Sequence, residues 1–137
     1  MLYDREEPRA CHIVDQWDRG LGWQVAPAET ARRTSHAVRT EAGVWLLDPL
    51  DAPGLEEELA TLGEVAGIAV CADYHARDAA SLAERYDVPV HVPAWCRRAR
   101  RKLAGTTVVT ARERLGETAL ALRRLDPFGW NEAAVVH

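Results

Sequence analysis

The run Val44-Trp45-Leu46-Leu47 is apolar at every position and closes on Asp48-Pro49. A strand with one wet face alternates apolar and polar residues, so an unbroken apolar run is typical of a strand covered on both faces. A second run, Ile68-Ala69-Val70-Cys71, comes after a segment of helical spacing, and Val88-Pro89-Val90-His91-Val92 comes after another. Buried strands alternating with helices read as an α/β fold.

The rest of the chain fits around this alternation. Cys11 to Trp17 reads as a first strand, Gly20-Leu21-Gly22 as a turn, and Trp23 to Ala26 as a short strand limited by Pro27. Ser35 to Thr40 and Val44 to Leu47 flank Glu41-Ala42-Gly43, which predicts a β-hairpin. Asp51-Ala52-Pro53 opens a helix whose Leu55, Leu59 and Leu62 share one face, and Gly63 ends it. Further helices are expected over Asp78 to Tyr86 and Pro93 to Leu103. Strands are expected at Thr106 to Thr110, Thr118 to Leu125 and Ala133 to His137. The last strand stops without a polar tail. That suggests a chain that continues, or a partner element supplied from elsewhere.

Composition narrows the function classes. Hydrophobic residues at 47% and charged residues at 28% are ordinary globular values. A formal net charge of −4 exerts no general pull on nucleic acid or anionic membranes. No apolar stretch approaches the roughly 20 residues of a membrane helix. The charged start has no secretory character. Cys11, Cys71 and Cys96 are far apart and form no CxxC pair, so they read as small buried thiols in a reducing cytoplasm.

The candidate chemistry sits in Asp73-Tyr74-His75-Ala76-Arg77-Asp78, delivered after a buried strand. Open α/β sheets keep their sites at that carboxyl edge. Three places together resemble the metallo-β-lactamase fold family. Val44 to Pro49 is similar to its first motif, an apolar strand closed by an Asp. Ala72 to Asp78 lies where the family carries Thr-His-x-His-x-Asp-His. Phe128-Gly129-Trp130-Asn131-Glu132-Ala133-Ala134 lies where it carries Pro-Gly-His-Thr-Pro-Gly-Ser. The helix and strand expected over Asp78 to Pro93 are also similar to the pair that the family places after its signature. The resemblance spans most of Ser35 to His137. It implies a single domain over residues 1–137, one αββα-type half with a mixed sheet and helices packed on one face. Such a half leaves an apolar sheet face bare. A homodimer or a missing C-terminal half is therefore expected to cover it.

The departures from the family pattern set the functional expectation. The resemblance gives Asp73 the place of a His and matches His75 to a family His. It puts Arg77 in place of the second metal's Asp, Asp78 in place of the last signature His, and Trp130 in place of the third-motif His. A guanidinium offers no lone pair to a metal, and an indole does not bind zinc. The expectation is a non-catalytic member without the zinc pair or other cofactor. Asp48, Asp73, His75, Arg77 and Asp78 would then line the old cleft as a salt-bridged cluster, with Trp130 plugging it. The alternative is a hydrolase of an ester, thioester or phosphoester with one zinc or other divalent ion on Asp73, His75 and Asp78. In a purely structural reading, Asp78 caps the helix after it and Asp73 pairs with Arg77.

The cationic run Arg97 to Lys102 reads as a solvated helix face, with Trp95, Ala99 and Leu103 turned to the core. A nucleic-acid partner is not expected from it. Ser35 and His36 are neighbours on a strand and point to opposite faces, so they do not form a nucleophile–base pair.

Overall fold

The computed structural model describes Tyr3, residues 8–125 and residues 129–137. Four strands open the fold: β1 (His12–Trp17), β2 (Gly20–Gln24), β3 (Thr34–Thr40) and β4 (Gly43–Leu47). Then α1 (Leu55–Ala60), β5 (Val65–Ala69), α2 (Ala79–Tyr86), β6 (Val90–Pro93), α3 (Arg97–Lys102) and β7 (Val108–Ala111) alternate. The strands β8 (Ala121–Leu125) and β9 (Glu132–Val136) form a hairpin.

Strands β1 to β7 make one mixed sheet in sequential order. β1 to β4 are antiparallel, and β4 to β7 are parallel. The switch at β4 comes from connection length: short connections join the first strands, while helical crossovers join the later ones. No helix among the described residues is long and apolar enough to cross a membrane.

The unbroken apolar run of β4 is buried from both sides. Val44 and Leu46 enter a large core with Leu55 and Leu59 of α1, Leu82 of α2 and Ala99 of α3, which places all three helices on one face. Trp45 faces the other way. It joins Ala69, Cys71, Leu115, Leu120 and Leu122, with Val135 of the hairpin packed alongside. The face expected to be bare is therefore partly covered by the chain's own β8–β9 hairpin and the loop before it. Val109, Val136, Leu125 and Trp17 remain exposed at 38–45%.

Several local expectations shift. Gly20 and Gly22 lie inside β2 rather than in a turn. They leave space on the sheet: a Cβ at Gly20 would lie 2.5 Å from the Trp17 ring, and one at Gly22 would lie 3.1 Å from the His36 ring. Trp17 lies over Gly20 at the sheet's outer strand and is 42% exposed. Pro53 precedes the first helix instead of sitting in its first turn, because Gly54 adopts a left-handed conformation (φ 91°) and serves as the N-cap. Asp78 is the backbone N-cap of α2, yet its carboxylate makes no capping bond.

His91 of β6 meets Trp45 edge-on, with ring centroids 4.7 Å apart. Burial lowers the imidazole's pKa below its ordinary value of 6.5. The unfolded chain then binds more protons than the folded one once the pH drops below about 6.5. Stability is fully present above that point and declines as the pH falls toward the lower folded value. The thermal midpoint of the native chain is expected to fall more between about pH 8 and about pH 5 than that of a His91→Leu variant. Parallel melting curves check this; equal declines refute it.

Candidate functional site

The carboxyl ends of β4 and β5 deliver the polar cluster. The chain leaves β4 through Asp48, whose φ of 50° turns its carboxylate back over the sheet edge. Oδ1 accepts the Cys71 N–H at 2.6 Å, and Oδ2 meets His75 Nδ1 at 2.8 Å. Asp48 thus ties the end of β4 to the loop after β5 through one main-chain and one side-chain partner. His75 is left with Nε2 for any further contact.

Arg77 has a left-handed backbone (φ 44°) that sends its side chain inward. Its Nη1 donates to the Thr34 carbonyl at 2.9 Å and the Asp48 carbonyl at 2.8 Å, and lies 3.4 Å from Ser35 Oγ. Burial lowers its pKa, while the Asp48 carboxylate pulls the other way. Its Nε is buried without a hydrogen-bond partner. The cation therefore fastens main-chain carbonyls of β3 and of the turn after β4 together. The expected side-chain salt bridge to Asp73 or Asp78 does not form, because the left-handed turn points Arg77 at β3.

Asp73 and Asp78 diverge from that centre. Asp73 is buried; Oδ1 accepts the Ala99 N–H of α3 at 3.1 Å, and Oδ2 accepts Asn131 Nδ2 at 3.2 Å. Asp78 Oδ2 accepts the Asp51 N–H at 2.8 Å and pairs with Arg9 at 3.0 Å. Asp78 thus braces the entry to α1 from the neighbouring helix start. Asp73, His75 and Asp78 have separate partners, and no three His, Cys, Asp or Glu side chains converge on one point among the described residues. The donor set does not fit a metal pair, and the three-residue alternative set is not assembled.

Trp130 is 57% exposed and does not plug the cleft. Phe128 lies outside the described residues. The residue of this segment that reaches the site is Asn131. Besides holding Asp73 through its side chain, it accepts the Asp73 N–H at 3.2 Å and the Cys96 thiol at 3.2 Å on its carbonyl. The Trp95 indole N–H donates to the Glu132 carbonyl at 3.0 Å, which fixes the same segment. Burial raises the Cys96 thiol to about 12, with the Asp73 carboxylate adding to it. Cys96 is therefore a neutral thiol donor and not a nucleophile.

Sequence reasoning missed the roles of Asn131 and Ser35. Ser35 is buried; its hydroxyl donates to the Asp48 carbonyl at 2.7 Å and accepts the Leu50 N–H at 2.9 Å. The only signal for Ser35 is its place as a polar residue on the inward face of an alternating strand. Asn131 carries a weaker one: Asn tolerates the left-handed backbone (φ 52°) it adopts. The chain matches no protein-family model and no curated protein.

Proposed function

We propose that this chain is a metallo-β-lactamase-like scaffold without a zinc pair, serving as a binding module in place of a hydrolase. The observation that carries the reading is Arg77. At the position the resemblance gives to a metal-binding Asp, a guanidinium sits among the Thr34 and Asp48 carbonyls and is bonded to both. A divalent ion there would meet a fixed positive charge. The remaining carboxylates already have partners: Asp73 holds α3, Asp78 holds the start of α1, and Asp48 holds Cys71 and His75. The mixed α/β sheet with helices packed on one face supports this reading.

Metal analysis tests the reading. Protein purified without added metal, then incubated with excess zinc and desalted, is expected to retain well under one ion per chain. Retention of a stoichiometric ion that His75→Ala abolishes would overturn it and restore the single-metal alternative.

A further inference from the structure

A concavity of about 490 Å³ opens beside the cluster, between the loop after β5 and α3. Its walls include Arg33, Tyr74, His75, Arg77, Arg98 and Lys102, and no Asp or Glu lines it among the described residues. That is an unusual local balance in a chain with a formal net charge of −4. Some of this charge is already used. Arg33 is held by Glu29 at 3.0 Å, and Arg77 is bonded to main-chain carbonyls. Arg98 lies over the Tyr74 ring, 4.6 Å from its centroid, and neither it nor Lys102 pairs with a carboxylate among the described residues. The stacking holds Arg98 at the rim at little cost in later ordering.

From this geometry we infer that the concavity is a site for a small multivalent anion, of the chemistry of a phosphate ester. Arg98 and Lys102 supply the two charge-assisted contacts. A planar guanidinium and a compact ammonium together suit a tetrahedral group with several anionic oxygens. His75 stands on the same wall with Nε2 uncommitted, because Asp48 occupies Nδ1. Arg77 adds buried positive charge behind it, and its Nε has no partner. The position agrees with where open α/β sheets hold ligands, outside the carboxyl ends of parallel strands. A concavity of this size takes a small molecule, whereas a nucleic acid needs an extended basic stripe. The inference deepens the binding-module reading by naming the ligand's chemistry, and it rests on that reading only in treating the loop as a binding wall.

Calorimetric titration of the whole chain with inorganic pyrophosphate, at low salt and after metal removal on a chelating resin, tests it. One-to-one binding that weakens with added salt is expected. The pair Arg98→Ala with Lys102→Ala should weaken it about tenfold or more. The pair Arg97→Ala with Arg101→Ala removes the same charge from the same helix but does not line the concavity, and should leave binding unchanged. All four side chains are exposed, so folding is not at stake, and Arg98→Lys with Lys102→Arg should retain binding. Absence of binding, equal loss in both alanine pairs, or tighter binding of a single-stranded oligonucleotide than of pyrophosphate would overturn the site. Because the resin removes metal-bridged binding beforehand, a zinc ion in the purified protein would end the preceding reading without deciding this one.

Discussion

Trp45→Ala is expected to cost about 3–5 kcal/mol of folding stability, the range for removing a buried aromatic side chain. Trp45 is 4% exposed at the centre of the sheet face beneath the hairpin. The sheet is shaped to receive the indole. A Cβ at Gly67 would lie 2.6 Å from the ring, and one at Gly116 would lie 3.1 Å away. The His91 ring closes a further side. Alanine would leave a cavity that backbone glycines cannot collapse into. Urea denaturation checks the loss as a lower midpoint with a similar slope. Gly67→Val gives an independent test, since it keeps the indole but drives a side chain into it. A comparable drop in that variant supports the packing, and near-native midpoints in both refute it.

Arg77→Met should cost about 2–3 kcal/mol, because the Thr34 and Asp48 carbonyls lose a charged donor. Arg77→Asp should be worse. Its short side chain reaches neither carbonyl, and it adds a negative charge to the loop that already meets the Asp48 carboxylate. It also supplies the residue type that the proposed resemblance would place at this position, yet it should bring no zinc binding. Asp73 and Asp78 remain tied to Ala99 and Asp51, so one new acid does not complete a donor set. Urea midpoints and zinc retention on the two variants read both effects. Stoichiometric zinc on Arg77→Asp would show that the site lacks only that residue.

Much of the sheet is legible in the sequence because burial on two faces leaves a mark in one dimension. Val44 to Leu47 announces a central strand, and the Leu55 and Leu59 spacing announces the helix above it. Gly20-Leu21-Gly22 reads as a turn because glycine signals one locally. In the folded chain the two glycines instead leave room over the sheet for the Trp17 and His36 rings, which no local pattern reveals. Trp130 is expected inside the cleft because the resemblance puts it in place of the third-motif His, whereas the backbone turn at Asn131 puts the amide at Asp73 and leaves the indole in solvent.

The cluster after β5 divides in the same way. The residue types Asp48, Asp73, His75, Arg77 and Asp78, and their delivery at a strand's carboxyl edge, were settled by the sequence, since strand order and side-chain chemistry are local properties. Which of them meet was decided by tertiary structure. Left-handed turns at Asp48 and Arg77, with φ of 50° and 44°, aim one carboxylate at His75 and one guanidinium at β3. The entry to α1 and the first turn of α3 draw Asp78 and Asp73 apart through main-chain N–H groups that no helical carbonyl satisfies. The cationic concavity likewise needed the fold, because Arg33, His75 and Arg98 stand far apart along the chain and share one wall only when the segment entering β3, the loop after β5 and α3 pack together.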